Sequence, residues 1–232
     1  MTRPMSSALP RDDDKARVVE EMFDRIAPRY DRLNRLLTLR LDVGWRRRAI
    51  RALRLSPAAR VADVACGTGD LCNELSARGH MVIGVDFSAG MLAAARTAAP
   101  LVRADALRLP VPDGALDGVA CGFALRNFAS LEPFFAECAR VVHPRGRVAF
   151  LDVAEPEGRL TRLGHSIYFR RVVPFVGGLL GDRAAYRYLP ESTAYLPAPD
   201  ALVALVAASG FEEVEHSVLG LGAAQLVTAT RR

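Results

Sequence analysis

The sequence predicts an α/β fold with a mostly parallel sheet, an antiparallel last strand and additional helices at the N-terminus. From Arg60 onward, short β-branched runs alternate with helical stretches, which is the pattern of repeated βαβ units. Near the C-terminus, two apolar runs flank the short connection Gly220–Gly222, and this spacing indicates a closing hairpin. The 232 residues suffice for one α/β domain with helical additions, so we expect a single domain.

The N-terminal region is predicted to be helical. Apolar residues recur at helical intervals over residues 17–41 with a break at Pro28, so we expect two helices there. A third helix is expected over residues 45–55. These helices form a predicted lid over residues 14–58, which follows a flexible leader over residues 1–13.

Seven strands are predicted in the rest of the chain. They span residues 61–65, 81–86, 101–105, 118–123, 148–153, 211–218 and 223–230. Helices are expected over residues 70–78, 88–98, 131–142 and 199–209. Ser88 is the expected N-cap of the second of these helices, because its hydroxyl can accept a hydrogen bond from a free N–H of the first turn. Residues 158–198 do not follow the βαβ pattern and are predicted to form a helical cap insert within the domain over residues 14–232.

Composition and charge argue against several classes of protein. The net charge of +5 is small and the chain has no basic block, so we expect no nucleic-acid partner. The four cysteines form no C-x-x-C pair and the histidines are isolated, which predicts reduced thiols and no metal site. The first residues lack a signal-peptide pattern and no apolar run is long enough to span a bilayer, so we expect a cytoplasmic protein.

The most informative segment is DVACGTGD over residues 63–70, between the first predicted strand and the next helix. Gly67 and Gly69 allow a sharp turn and close approach of a ligand, and the helix N-terminus beyond them offers free N–H groups. A dinucleotide site needs a third glycine where this chain has Cys72, which disfavours an NAD-dependent oxidoreductase. A tight turn that binds no ligand is the alternative explanation of the two glycines.

Acidic residues stand near the ends of three successive predicted strands. Asp63 precedes the glycines, Asp86 ends the second strand, and Asp105 ends the third and is followed by Ala106. A carboxylate at the second position can accept hydrogen bonds from both hydroxyls of a ribose, and Asp105 can meet the amine of adenine. Each acid alone can be an N-cap, but three acids in register with the glycines predict a nucleoside site.

An acidic residue four positions before the first glycine resembles the pattern of class I methyltransferases, which have a Rossmann-like sheet and bind S-adenosylmethionine. The resemblance implies this cofactor, whose sulfonium makes a methyl group reactive toward a nucleophile. Proximity and orientation can supply ~7–11 kcal/mol of such a barrier, and no metal is required. The expected cofactor-binding residues are Asp63, Gly67, Thr68, Gly69, Asp86, Phe87, Asp105, Ala106 and Gly122.

Six segments carry features beyond the general cofactor motif. They are MFDRIAPRYDRLNRLL (22–37), DVACGTGDL (63–71), LRLPVPDGALDGV (107–119), GFALRNF (122–128), RVVHPRGRVAFLD (140–152) and YRYLPES (186–192). In these segments the chain resembles the ubiquinone/menaquinone C-methyltransferase family, from Met22 to about Phe211. The resemblance implies methyl transfer to a ring carbon of a demethylmenaquinol or a related hydroquinone. It also implies cofactor contacts at Thr68, Asp86, Asp105 and Ala106, with Gly122 in place of a family serine.

The chain departs from the family pattern at Arg145 and in its C-terminal segment LGLGAAQLVTATRR, which leaves the acceptor open. One alternative is a methyltransferase of the same fold that acts on another small aromatic or polyketide-like natural product. Another alternative, from a different class, is a subunit that binds S-adenosylmethionine without turning it over.

A hydroquinone ring becomes a carbon nucleophile when its hydroxyl loses a proton, because the phenolate pushes electron density onto the adjacent carbon. Arg126 and Asn127, just after the fourth predicted strand, can hold that oxyanion or a water that takes the proton. Tyr30 is a third catalytic candidate, as a contact to a ring hydroxyl. The alternatives are a structural ion pair for Arg126, a helix cap for Asn127 and lid packing for Tyr30. Asp31 is expected to pair with a nearby arginine.

The predicted partner is a small molecule, a hydroquinone with or without a prenyl tail. Apolar residues over 160–180 suit an isoprenoid chain, and the arginines among them can meet lipid headgroups at the inner face of the membrane. Packing within an ordinary cap explains the same residues. We therefore expect at most peripheral membrane contact, and a homodimer is compatible with the sequence.

Overall fold

The computed structural model of the chain describes residues 13–154, residue 188 and residues 192–232. The predicted leader, apart from its last residue, and most of the predicted cap insert over residues 158–198 lie outside these residues, so both stay predictions. Within the described ranges, no helix combines the length and the apolar character needed to cross a bilayer.

Seven strands of the described chain form one sheet. They are β1 (Arg60–Val64), β2 (Met81–Asp86), β3 (Leu101–Arg103), β4 (Leu116–Gly122), β5 (Val142–Val153), β6 (Phe211–Leu219) and β7 (Ala224–Arg231). Their order in the sheet is β3-β2-β1-β4-β5-β7-β6. Neighbouring strands among the first five are parallel, whereas β7 is antiparallel to β5 and to β6. The prediction of a mostly parallel sheet with an antiparallel last strand is confirmed.

The helices agree with the apolar periodicity of the sequence. They are α1 (Asp13–Ile26), α2 (Tyr30–Leu37), α3 (Leu41–Leu53), α4 (Asp70–Ser76), α5 (Ala89–Ala93), α6 (Leu131–Val141) and α7 (Pro199–Ala208). The predicted break at Pro28 is a short 3-10 turn over Ala27–Arg29 that separates α1 from α2. Ser88 caps α5 as predicted, since its hydroxyl accepts a hydrogen bond from the Met91 amide at 3.0 Å.

The helix predicted over residues 88–98 is shorter than its sequence pattern and ends at Ala93. Beyond this point the chain turns back toward the glycine loop, where the Arg96 amide donates to the Thr68 carbonyl at 2.9 Å. This hydrogen bond to a loop that is distant in sequence replaces the bond that would have continued the helix. The apolar periodicity of the local residues cannot predict such a contact.

Apolar side chains cover both faces of the sheet, as a parallel sheet requires. On one face, Phe134 and Phe135 of α6 pack against Phe150 of β5, with ring centroids 5.6 and 5.1 Å away. On the other face, Leu53 of α3 and Leu75 of α4 are completely buried. This packing fixes the carboxyl ends of the strands, where open α/β sheets bind ligands at the point of strand-order reversal.

Candidate active site

A cavity lies at the carboxyl ends of β1, β2 and β4, where the strand order reverses. Its volume is about 1190 Å³, including solvent at its mouth. The lining contains eight of the nine predicted cofactor residues, and Gly69 is the exception. It also contains two of the three predicted catalytic residues, Tyr30 and Asn127.

The glycine loop between β1 and α4 exposes its backbone to this cavity. Gly67 and Gly69 have left-handed backbone angles, with φ of +56° and +89°. A Cβ on Gly69 would lie 2.7 Å from Cγ2 of Thr97, whereas a Cβ on Gly67 would meet no atom within 4 Å. Since Gly67 lines the cavity, the loop leaves open backbone for a ligand that approaches closely.

Asp63 is a buried carboxylate of β1, with 1% of its surface exposed. Its Oδ2 accepts a hydrogen bond from the Cys72 thiol at 3.1 Å, whereas its Oδ1 has no partner among the described residues. Burial raises the pKa of this carboxyl from its ordinary value near 3.8 to about 7. Because Asp63 lines the cavity, the unpartnered oxygen fits a cationic or hydrogen-donating group of a ligand.

Asp86, at the end of β2, links the glycine loop to the start of α5. Its Oδ2 accepts from the Gly67 amide at 2.7 Å and its Oδ1 accepts from the Ser88 amide at 2.8 Å. Burial raises the pKa of Asp86, and these backbone hydrogen bonds oppose that shift. Each carboxylate oxygen retains a lone pair that can accept from a ligand hydroxyl.

Asp105 lies at the exposed edge of the cavity, and not at a strand end as the sequence suggested. β3 ends at Arg103, and the Asp105 carboxylate stabilises the following turn by accepting from the Leu107 amide at 2.9 Å. Ala106 is buried and Phe87 is 43% exposed, and both line the cavity beside Asp105. Their apolar surfaces suit a planar ring.

Arg126 and Asn127 lie in the 3-10 turn after β4. The Arg126 guanidinium is buried, forms an ion pair with Asp152 of β5 and donates to the Phe123 carbonyl at 2.8 Å. Arg126 is not among the described residues that line the cavity, whereas Asn127 is. The Oδ1 atom of Asn127 accepts from the Tyr188 hydroxyl at 3.2 Å. The turn therefore holds Arg126 behind the cavity wall and presents Asn127 at its surface.

Tyr30, at the start of α2, lines the cavity near two arginines. Burial raises the pKa of Tyr30, and the charges of Arg46 and Arg126 oppose this shift. Arg46 also lines the cavity and is ion-paired with Asp42 and, at 3.4 Å, with Asp70. The tyrosine hydroxyl therefore lies near buried arginines whose charges are balanced by neighbouring aspartates.

Polar side chains of α1 and α2 hold these helices against the rim of the cavity. Asp24 accepts from the Ser88 hydroxyl at 2.5 Å and from the Gly90 amide at 2.8 Å. Asp31 accepts from the hydroxyl of Thr68. The expected pairing of Asp31 with an arginine is replaced by this bond, because α2 lies directly over the glycine loop.

Sequence reasoning missed two charged residues, Arg46 in the cavity lining and Lys15 on the helix beside the cavity. Lys15 of α1 is 3% exposed, donates to the Phe128 carbonyl at 2.6 Å and lies 3.6 Å from the centroid of the Tyr195 ring. Burial lowers its pKa to about 8. The ion pair of Arg46 could have been predicted, since Asp42 stands four residues earlier on the same helix. The contacts of Lys15 could not have been predicted, because both of its partners are distant in sequence.

The strand order, with the glycine loop and the carboxylates of Asp63 and Asp86 at one cavity, is that of the class I methyltransferase fold. The chain belongs to the ubiE/COQ5 methyltransferase family, whose family model matches residues 11–231. The protein is therefore an S-adenosylmethionine-dependent methyltransferase, and the resemblance found in the sequence is confirmed.

Relatives with curated names match this chain over nearly their full lengths. The demethylmenaquinone methyltransferase of Thermus thermophilus is 46% identical, over 90% of this chain and 100% of the relative. The demethylmenaquinone methyltransferase of Roseiflexus castenholzii is 40% identical, over 98% and 99%. The ubiquinone/menaquinone biosynthesis C-methyltransferase UbiE of Geobacter sulfurreducens is 37% identical, over 94% and 90%.

Solved structures share the fold at low identity. A methyltransferase of Thermotoga maritima, described as a possible histamine N-methyltransferase, has a TM-score of 0.67 and 19% identity over 92% of this chain and 99% of that one. The phosphoethanolamine N-methyltransferase 2 of Haemonchus contortus, in complex with S-adenosyl-L-methionine, has a TM-score of 0.56 and 14% identity over 76% and 49%. These two likenesses concern the fold alone.

We predict that Gly69→Ala weakens cofactor binding, because a Cβ at this φ collides with Thr97 and displaces the loop beside Gly67. Backbone strain of this kind costs about 1–3 kcal/mol. Gly44→Ala is the matched control: its Cβ meets nothing within 4 Å, so it should stabilise α3 by about 0.5–1 kcal/mol and leave binding unchanged. Calorimetric titration with S-adenosylmethionine measures the effect, and equal affinity of Gly69→Ala and the parent protein would contradict this account of the loop.

Proposed function

We propose that this enzyme transfers a methyl group to a ring carbon of a demethylmenaquinol or a related hydroquinone, with or without a prenyl tail. One observation carries the proposal: a single cavity contains the carboxylates of the cofactor loops together with Tyr30 and Asn127. The demethylmenaquinone methyltransferases among the relatives support this choice of acceptor.

The cavity fits S-adenosylmethionine on two counts. Asp63 Oδ1 is a buried acceptor without a partner among the described residues, which suits the cationic part of the cofactor. Gly67 leaves open space against its backbone. In this assignment Asp86 accepts from the ribose hydroxyls, and Asp105, Ala106 and Phe87 contact the adenine. The bound cofactor supplies an activated methyl group.

Stabilisation of the ring oxyanion of the acceptor, whose proton passes to a water, is assigned to the side chains at the other part of the cavity. Because Asn127 Oδ1 is occupied by the Tyr188 hydroxyl, the side-chain amide of Asn127 is left to donate to a ring oxyanion. Tyr30 contacts a ring hydroxyl in this scheme. Arg126 acts as a positioning residue, since it fixes the turn that carries Asn127 and its charge lowers the pKa of Tyr30.

We further propose that residues 14–232 form one domain in which residues 14–58 are a lid. A prenylated acceptor would bring the enzyme into peripheral contact with a bilayer. A homodimer is compatible with both proposals, and gel filtration with light scattering tests it.

The acceptor is tested with purified protein, S-adenosylmethionine and a short-chain demethylmenaquinol, with mass spectrometry of the products. We expect one added methyl group on the ring carbon and one S-adenosylhomocysteine per turnover. A menaquinol already methylated at that carbon is the control and should give no product. Methylation of other phenolic compounds but not of the hydroquinone would overturn the acceptor, and binding without turnover on any acceptor would favour a non-catalytic subunit.

Asp86→Ala should weaken cofactor binding by about 1.5–3 kcal/mol, the scale of lost hydrogen bonds to a charged group. Asp200→Ala, which removes an exposed carboxylate from the first turn of α7, is the matched control and should bind like the parent. Isothermal titration calorimetry gives both affinities. Unchanged affinity of Asp86→Ala would rule out the ribose assignment.

Cofactor affinity should depend on pH through Asp63. The raised pKa means that the carboxyl is charged above pH 7 and increasingly neutral below it, so affinity for a cation falls as the pH drops through about 7. Because the pKa of Asp63 is about 7 in the folded protein and near 3.8 in the unfolded chain, the free protein loses stability as the pH rises from about 4 through 7. Titrations between pH 5.5 and 8.5 check the first statement. Asp63→Asn should bind weakly with a flat profile, and a flat profile of the parent would contradict the assignment.

Arg126 is tested in the charge-neutral pair Arg126→Gln/Asp152→Asn, because a single substitution would leave Asp152 buried without its cation. We expect kcat to fall by about 10²–10³, because the turn that places the oxyanion donor Asn127 is no longer fixed, while the cofactor affinity stays close to that of the parent. A thermal melt confirms that the double variant is folded. Turnover equal to that of the parent would remove Arg126 from the mechanism.

A further inference from the structure

The turn between α2 and α3 exposes three leucines. Leu36, Leu39 and Leu41 are 51%, 71% and 53% exposed. Leu39 and Arg40 both have left-handed backbone angles, with φ of 50° and 64°, a conformation that bulky residues seldom adopt. Such strain persists where the surroundings enforce it and is often functional.

The turn is held in this conformation by a set of hydrogen bonds. The Arg40 amide donates to the Arg35 carbonyl and the Leu41 amide to the Thr38 carbonyl, both at 2.9 Å. The Thr38 hydroxyl donates to the Asn34 carbonyl at 2.7 Å. Leu39 is therefore presented to solvent by a fixed turn, although a folded chain gains nothing from exposing a leucine.

A fourth leucine lies beside this turn. Leu221, at the tip of the hairpin between β6 and β7, is 88% exposed and also left-handed, with φ of 56°. The neighbouring Gly220 packs against Trp45, where a Cβ would lie 2.5 Å from the indole ring. Trp45 is one helical turn after Leu41 on α3, so the hairpin tip and the α2–α3 turn share one side of the molecule.

The same region carries the positive charge of the protein. Residues 29–54 contain nine arginines and two aspartates, a net charge of +7, whereas the whole chain has +5. Exposed arginines without an ion pair in the described part of the chain lie on α2, on α3 and in the turn between them. They are Arg32, Arg40, Arg48 and Arg51. We name these four arginines, together with Leu36, Leu39, Leu41 and Leu221, the leucine–arginine surface.

We propose that the leucine–arginine surface docks the enzyme on an anionic lipid bilayer, with the leucines in the headgroup region and the arginines on lipid phosphates. Exposed leucines at the tip of a basic surface match the chemistry of an interfacial anchor. A second copy of the chain would bring like charges together, and nucleic acid would leave the leucines without a partner. α2 also carries Tyr30, so docking places the cavity close to the lipid. The inference rests on the proposed bilayer contact and names the surface that makes it.

The experiment is sedimentation of the full chain with vesicles of phosphatidylcholine alone or with phosphatidylglycerol. We expect binding to the anionic vesicles only, lost progressively with salt. Arg40→Ser/Arg48→Ser/Arg51→Ser should lower the partition coefficient by roughly 100-fold. Leu36→Gln/Leu39→Asn/Leu41→Gln should weaken binding to the anionic vesicles at low salt, because the apolar contacts with the headgroup region are lost, and asparagine is chosen at 39 because it tolerates the left-handed conformation.

The matched control is Met81→Gln, which removes an exposed apolar side chain at the start of β2, the opposite end of that strand from Asp86. It should bind like the parent. All variants should methylate a short-chain, soluble hydroquinone at the parental rate, which separates docking from catalysis and confirms folding.

Four outcomes would overturn the proposal. Equal vesicle binding by the parent and the variants would show that another surface contacts the bilayer. If the parent does not bind vesicles, both this surface and the proposed bilayer contact are rejected. A parent dimer that dissociates in the leucine variant would assign the surface to a second copy. Arginine-dependent retention on RNA or DNA without vesicle binding would assign it to nucleic acid. Methylation of the hydroquinone in any of these cases leaves the proposed reaction intact.

Discussion

The carboxylate of Asp86 connects the parts of the structure on which the site depends. It accepts hydrogen bonds from the amides of Gly67 and Ser88, and Ser88 donates its hydroxyl to Asp24 of α1. The glycine loop, the end of β2, the start of α5 and the N-terminal helices therefore share one chain of hydrogen bonds. A ligand whose hydroxyls bind Asp86 uses the same two oxygens that hold this chain, so occupancy of the site and the position of α1 are physically linked.

Among the described residues, helices α1 and α2 contact the loops of the sheet through polar side chains, whereas α3 packs on the sheet through apolar ones. Asp24, Asp31 and Lys15 each reach a loop at the carboxyl edge of the sheet. The buried apolar cluster between these helices and the rest of the described chain is small, with Met22, Ile26 and Tyr188. The main cores, by contrast, contain completely buried phenylalanines and leucines. Segments with few buried apolar contacts open at lower free energy than the core, so the wall over the cofactor site is the part best suited to move.

The alternation of strands and helices was predictable because parallel strands are buried on both faces and therefore appear in the sequence as short apolar runs. The carboxylates of Asp63 and Asp86 were predictable for the same reason, since the strands fix where their carboxyl ends meet, whereas Asp105 lies in the turn beyond β3. The end of α5 at Ala93 was not predictable, because a hydrogen bond between Arg96 and the distant Thr68 decides it. The ion pair of Arg126 with Asp152 joins residues 26 apart, and Lys15 reaches Phe128 over 113 residues. Such contacts depend on the completed fold, and no local pattern encodes them.

The distribution of charge in the cavity separates two kinds of chemistry. Within the described chain, Asp63 and Asp86 contact amide and thiol donors but form no ion pair, so the charge of Asp86, and that of Asp63 above its pKa of about 7, is not neutralised by a salt-bridge partner. Near Tyr30, by contrast, Arg46 is already balanced by Asp42 and Asp70, and Arg126 by Asp152. In the proposed assignment, the cationic part of S-adenosylmethionine lies at the carboxylate end, while a ring oxyanion meets arginines that are already ion-paired rather than repelling carboxylates. In this assignment the two ends of the cavity would favour opposite charges, a cationic methyl donor beside the carboxylates and an anionic acceptor beside the arginines.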